Sequence, residues 1–366
     1  MSGKHILVAT NALTNVPIAE LPVSDLHHSR VLNDNGVCEG NILLSDPNIK
    51  KLKLLTNNAL EPGYASLVCY RDGVPDWTGL LWSHDYDSTG ATLDISGSEM
   101  GSYLSSRFIH ALVNYSDDVA NLAYDWVTQV FGDGGPTITT AITLTGTTLT
   151  GTFNAYEQHC VADLLTGYVA QNPGGIDWSF DIRGVDANGN PQVCFVVRAP
   201  RRGRNAIQTG VQWDYPGDLA SLALSRNAQQ GEFATELIVT GAGAGLTLLQ
   251  ASKATPIPGY IKLQAVVNDG NLATQAAVNA YAIAEAQTRS HGGSSMVFSA
   301  VILGSSWYGS GVDTGDEVAI RITDPYYPTG QLLYQRIIGY DVVPQTANSP
   351  EVVKVTFGDP LSSNIA

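Results

Sequence analysis

Residues 71–94 read RDGVPDWTGLLWSHDYDSTGATLD: a polar Asp-Gly turn, a run of apolar and β-favouring residues, and a second turn at Ser-Thr-Gly. That texture recurs along the chain and restricts its fold more than any other feature. Alternating apolar and polar positions follow the two-residue period of a strand with one buried face. Gly, Asn and Asp between such runs supply tight turns. The strongest hairpin signal is Asp34-Asn35-Gly36, because an Asn-Gly pair readily takes the positive φ of a two-residue turn. With 37 glycines, 44% apolar and 14% charged residues in 366, many short strands are expected rather than long solvated helices.

Three textures follow one another. Residues 1–113 read as short strands with one small helix in PNIKKLKLLTNN, where Ile49, Leu52 and Leu55 have helical spacing. Residues 114–205 hold two amphipathic helices. One carries Val119, Leu122, Trp126, Val127 and Val130 on a stripe, with Ser116 as its expected N-cap and Gly132 past its end. The other carries Val161, Leu164, Leu165 and Tyr168, and Pro173 ends it. A hairpin around 186–191 completes this part. Residues 206–366 return to strands around an Ala-rich helix at 272–290, stopped by His291-Gly292-Gly293. The expected architecture is mainly β with an α+β insertion: two small β-barrel domains, 1–113 and 206–366, flank a helix-containing middle domain, 114–205. The first and last regions share a layout of strands, a helix and further strands, a weak internal similarity.

The net charge is −15, from 34 acids and 19 bases, and the one dense basic run is RAPRRGRN at 198–205. Most of the surface should therefore repel a phosphate backbone. The basic run, with Arg201 and Arg202 at its centre, is expected to be a loop or a subunit interface. Cys38, Cys69, Cys160 and Cys194 never fall in a CxxC pair, which argues against a zinc knuckle or a thioredoxin motif. The opening MSGKHILVATNALTNVP lacks the apolar core of a leader, and no run reaches the length of a membrane span. The expected compartment of synthesis is a reducing cytoplasm.

Candidate chemistry is sparse. His84, Asp85 and Asp87 lie within SHDYD, where two carboxylates on one strand face can hold a cation or cap the following turn. DANGNP, at 186–191, resembles the start of a calcium loop without its remaining ligands, and a hairpin loop explains it as well. GAGAG at 241–245 lacks dinucleotide-loop spacing, and TGDE at 314–317 reads as a turn before a strand. His159 and Cys160 are neighbours on a predicted helix, where adjacent side chains do not meet. A glycosidase would need Asp85/Asp87 or Glu232/Glu236 paired across a cleft. A carbohydrate-binding module would display Trp307, Tyr308, Tyr326 and Tyr327 as an exposed row, although core packing or an interface is the expected use of those rings. No metal or cofactor motif emerges.

Several elements together resemble the tail hub (baseplate hub or minor tail protein) family of long-tailed siphophages. These are Pro62-Gly63, Asp72-Gly73, Trp77-Thr78-Gly79, and Tyr103-Leu104 with Arg107-Phe108-Ile109. DWSFDIRG, the Ala-rich helix, DTGDEVAIRI and EVVKVTFGD follow in order. The resemblance implies a non-enzymatic virion protein at the tail tip, assembled in the host cytoplasm. Three copies would place six barrels in a pseudo-six-fold ring. The implied partners are a distal tail protein, the tape measure protein and tip or fibre proteins, with genome DNA passing through the ring without specific binding. A wall poor in positive charge would let DNA slide. Cell-wall digestion and receptor binding would reside in other proteins. The competing expectation within this class is a six-copy distal tail ring. Trp77, Gly79, Trp307, Tyr308, Arg201 and Arg202 are the expected wall or interface residues.

Overall fold

Asp72 and Gly73 take φ of 52° and 80°, so a two-residue hairpin turns at this Asp-Gly pair, with Arg71 opposite Val74. The computed structural model describes residues 3–51, 53–171, 176–187, 189–227, 233–270, 272, 274–290, 295–346 and 349–358. Its first unit comprises β1 (His5–Asn11), β2 (Pro17–Leu21), β3 (Val23–Val31), β4 (Val37–Leu43), helix α1 (Pro47–Lys51), β5 (Ala65–Arg71), β6 (Val74–Asp87) and β7 (Thr92–Glu99), followed by a 3₁₀ turn over Met100–Ser106. The strands lie in the order β2-β1-β5-β6-β7-β4-β3 and curl around Leu7, Ile42, Leu67, Trp77, Leu81 and Ile95. The Asn35-Gly36 pair makes no two-residue turn. Asn33 takes the positive φ instead, at 61°. Glycine is required at 36 by close approach: a Cβ there would lie 1.8 Å from the Ser29 carbonyl oxygen. Helix α1 stops early because Lys53 turns to φ 54°; Ile49 and Leu54 are buried, Leu55 faces solvent, and Leu52 lies outside the described residues.

The middle of the chain adds β8 (Phe108–Ile109), β9 (Val113–Asp118), α2 (Val119–Gly132), β10 (Thr139–Ile142), β11 (Thr148–Phe153), β12 (His159–Cys160), α3 (Val161–Gln171), β13 (Asp177–Val185) and β14 (Pro191–Arg198). All five stripe residues of α2 are buried. They share a core with Val161, Leu165, Tyr168, Trp178, Phe180 and Phe195, and Leu164 packs at its edge. Trp126 Nε1 donates to Tyr168 Oη at 2.8 Å, satisfying two buried polar atoms at once. The N-cap is Asp118, which accepts from Ala120 N at 2.8 Å; Ser116 belongs to β9. His159 and Cys160 form a short strand paired with β8, not a helical turn, because α3 begins only at Val161. Pro173 lies outside the described residues.

The last unit contains α4 (Ala206–Thr209), β15 (Gln212–Tyr215), β16 (Leu219–Asn227), β17 (Glu236–Thr240), β18 (Gln250–Ala254), β19 (Gln264–Asn268), α5 (Gln275–Ser290), β20 (Ser295–Leu303), α6 (Gly304–Ser310), β21 (Glu317–Ile322), β22 (Gln331–Val343) and β23 (Val352–Gly358). β16-β20-β23-β22-β21-β15 wrap a second core of Trp213, Ile302, Trp307, Ile320, Ile337 and Tyr340. β17 to β19 form a separate small sheet, on which α5 lays Val278, Ala282 and Ala286, the narrow face expected of an Ala-rich helix. The residues expected to stop α5 lie outside the described set. Among the described residues, no helix is long and apolar enough to cross a membrane.

The two sheet units repeat one topology. β3-β4-β7-β6-β5 corresponds to β16-β20-β23-β22-β21, and a short helix (α1 or α6) leads into the fifth strand of each. The equivalence reaches single residues. The β6–β7 ladder shifts between Leu81 and Ser83, and the β22–β23 ladder shifts between Ile337 and Gly339. Gly63 N donates to Leu81 O at 2.8 Å and Gly315 N to Ile337 O at 2.7 Å, one bond in two places. The α5 insertion occupies the place of the turn between β3 and β4. β22 pairs with β3 through Gly339↔Val31 to Val342↔His28, so one continuous sheet of thirteen strands joins the two units.

Candidate assembly interface

The expected wall residues separate into three environments. Trp77 is 1% exposed, and its Nε1 donates to Ser29 O at 2.8 Å, tying β6 to β3 across the first core. Gly79 lies two residues on in the same strand, where a Cβ would meet Ser98 O at 2.1 Å and the Trp77 ring at 2.4 Å. Trp307 is buried, its ring 4.6 Å from Tyr340 and 6.0 Å from Trp213. These three are core. Tyr308 and Arg202 lie on contacts between units, whereas Arg201 is exposed.

Arg202 belongs to a buried ionic junction that draws on every part of the chain. Its guanidinium donates to Asp181 Oδ1 at 2.6 Å, to Asp313 Oδ2 at 2.7 Å and to Ser179 Oγ. Arg30 of β3 donates to Glu99 Oε1 at 3.1 Å, to Phe180 O at 2.8 Å and to Asp181 Oδ1 at 3.0 Å. Arg336 of β22 donates to Asp177 and to Arg202 O. Asp177 also accepts from Asn33 Nδ2 at 2.9 Å. Burial alone would raise the Asp181 carboxyl, but Arg30 and Arg202 outweigh it and hold the group below the usual carboxylate range. Buried ion pairs seldom add net stability, but removing one partner is costly, so such a junction fixes geometry more than it deepens stability. The basic run is thus largely a connector. Arg204 continues it, donating to Asp316 Oδ2 at 2.5 Å, which gives the TGDE turn a role beyond its own bend.

A second polar cluster lies on the β1–β5 side of the junction. Tyr308 Oη donates to Asp76 Oδ2 at 2.7 Å while Arg71 stacks 3.7 Å above its ring. Glu351 accepts from Arg71 Nε at 2.9 Å and pairs with His5 Nε2 at 2.6 Å. Burial opposes its charge, but these bonds lower its pKa to about 2. Neither cluster was legible from local spacing, since its members lie far apart in the chain.

The local candidates resolve into turns and strands. Residues 83–87 extend β6, where Asp85 stands opposite Asp94 and Asp87 Oδ1 caps its turn by accepting from Thr89 N at 2.8 Å. Asp186 accepts from Asn190 N at 2.8 Å and Nδ2 at 3.1 Å, closing its own hairpin; Asn188 lies outside the described residues. GAGAG forms a loop ending in a short 3₁₀ turn at Gly245–Thr247. His159 Nε2 pairs with Glu157 at 2.9 Å and not with Cys160. Glu236 pairs with Lys262 at 2.6 Å, and Glu232 lies outside the described residues. Tyr326 is exposed beside half-buried Tyr327, but Trp307 is in the core, so the four rings form no exposed row.

Among the strand edges left open in the described residues, those of β6 and β16 stand out by their place in the repeat. From Trp82 to Asp87, β6 pairs only with β7, and all six residues are exposed. β16 ends the large sheet and pairs only with β20 among the described residues. By the internal repeat, these edges are equivalent to the β22 and β3 edges that pair inside the chain.

No family model and no curated protein sequence matches the chain. Solved structures do match. The 43 kDa tail protein of prophage MuSo2 from Shewanella oneidensis is 13% identical, with 97% of this chain and 98% of that one covered and a TM-score of 0.66. The tail protein from Neisseria meningitidis MC58 is 12% identical, with 97% and 96% covered and a TM-score of 0.62. Prophage tail protein gp18 from Listeria monocytogenes EGD-e is 10% identical, with 98% and 95% covered and a TM-score of 0.57. The chain therefore has the fold of phage tail proteins over nearly its whole length, in agreement with the mainly β architecture expected from its sequence.

Proposed function

We propose that this chain is a structural virion protein, the tail-tip hub of a long-tailed phage. Three copies form a ring in which the two sheet units of each chain alternate, giving pseudo-six-fold symmetry. The observation that carries this reading is the pair of open edges. Inside one chain, β22 of the second unit pairs with β3 of the first. Between chains, the equivalent partners are β6 of one copy and β16 of the next. Transferring the internal register places Ser83 opposite Asn227 and Tyr86 opposite Leu224. Such a contact is head-to-tail and closes into a ring when its rotation allows. It also covers edges that a solitary chain would leave open to adventitious pairing.

In this reading the six-fold face meets the tail tube or a distal tail protein. The three-fold face takes the tip or fibre proteins, and the tape measure and then the DNA pass through the ring. The role is structural in this reading: Asp85 and Asp87 belong to a strand and its turn, and the two ionic clusters join units. The net charge of −15 suits a passage that does not hold DNA. The test is a cross-link. Opposed residues in an antiparallel pair bring Cβ atoms to about 5 Å, within disulfide reach. Tyr86→Cys combined with Leu224→Cys should give covalent dimers and trimers on oxidation, and neither single variant should. Absence of inter-chain bonds at ring-forming concentration would refute the β6–β16 contact.

A further inference from the structure

Three ligand atoms converge where β1, β3 and β5 back onto the second unit. A ring nitrogen of His5, a ring nitrogen of His28 and the Sγ of Cys69 all lie within 4.8 Å of one another. His28 is fully buried, and neither of its ring nitrogens has a hydrogen-bond partner. Asp76 Oδ2 stands 3.4 Å from Nε2, but out of alignment for a hydrogen bond. A native core rarely leaves both nitrogens of a buried ring unsatisfied.

The surroundings of His5 match those of a metal ligand. Its Nε2 faces Glu351 Oε1 at 2.6 Å and its Nδ1 faces Cys69 Sγ at 3.7 Å. A carboxylate that accepts from one imidazole nitrogen sets the tautomer and leaves the other as a lone-pair donor, as behind many metal-binding histidines. Tetrahedral zinc, with bonds of ~2.0 Å to nitrogen and ~2.3 Å to sulfur, sets an N···S separation of ~3.5 Å. A simple thiol–imidazole hydrogen bond would account for His5 and Cys69 but would leave His28 unexplained.

We propose that His5, His28 and Cys69 bind one transition-metal ion of the zinc class, with Glu351 orienting His5. Two imidazoles and a thiolate suit zinc and exclude magnesium or calcium, which prefer oxygen. Binding takes Cys69 as the thiolate and releases its proton to solvent. Three protein ligands leave one tetrahedral position for a water. The route in is the cleft of about 1010 Å³ that His5 lines together with Lys4, Asp25, His27 and Asp341. Because the ligands belong to the first unit and Glu351 to the end of the second, the ion would pin the two units together.

The test is cobalt uptake by the full chain after purification in chelator. One Co²⁺ per chain should bind with a thiolate-to-cobalt charge-transfer band and tetrahedral visible bands, all displaced by Zn²⁺. Cys69→Ala should abolish the charge-transfer band and weaken binding at least ~10-fold, with circular dichroism confirming the fold. Zinc should raise the melting temperature of the unmodified chain and leave that of Cys69→Ala unchanged. Absence of the band in the unmodified chain would overturn the site without recourse to any variant. So would a band that survives Cys69→Ala and disappears in Cys160→Ala.

Discussion

Arg202 Nη2 lies 2.7 Å from Asp313 Oδ2, so a connector residue joins the middle of the chain to the second sheet unit. The same guanidinium holds Asp181 at 2.6 Å. Arg202→Ala would leave Asp181 with Arg30 alone and would remove the 2.7 Å partner of the partly exposed Asp313, with an expected loss of about 1–3 kcal/mol in urea unfolding. Arg201→Ala, at an exposed neighbouring position, should stay within about 0.5 kcal/mol.

Trp77 and Asp85 belong to one strand but should respond oppositely to substitution. Trp77→Asp would place a charge in the first core, and no cooperative melt is expected. Trp77→Phe retains much of the packing but strands Ser29 O, at a cost of about 1–3 kcal/mol. Asp85→Ala should be neutral to slightly stabilising and leave assembly nearly intact, because Asp85 is exposed and faces the like-charged Asp94.

Asp118 caps α2 and also accepts from Thr145 N at 3.0 Å and Gly146 N at 2.7 Å. Burial opposes its charge, but these backbone donors prevail and hold the carboxyl below its ordinary value of 3.8. A depressed folded pKa makes the stabilisation complete above the unfolded value and removes it as pH falls through the folded one. The contribution should therefore be present above about pH 4 and fade below it. Melting curves at falling pH should show a shallower acid slope for Asp118→Asn than for the unmodified chain. At neutral pH, Asp118→Ala should cost about 1 kcal/mol.

Much of this fold was legible because its causes are local. The Asp72-Gly73 turn, the α2 stripe from Val119 to Val130 and the small-residue face of α5 each follow from spacing within a few residues. Caps and turns were less so: Asn33 took the φ that Asn35-Gly36 promised, and Asp118 displaced Ser116 as N-cap. Tertiary contacts decided both. The clusters around Arg202 and His5 could not be read at all. Arg30 reaches Asp181 and His5 reaches Glu351 only once the sheets have closed, and no local pattern anticipates such meetings. SHDYD raised a question of chemistry that the structure changed into one of pairing, since its backbone edge is the open one.

The central claim is that open edges equivalent to the β3–β22 ladder join three copies into a ring. Native mass spectrometry of the purified chain at high concentration tests it most directly. The account predicts a particle of three times the 38.8 kDa chain mass, reduced to single chains when a proline at position 84 removes an amide that faces the open edge of β6. A particle of six copies, or a chain that remains single at every concentration, would contradict it.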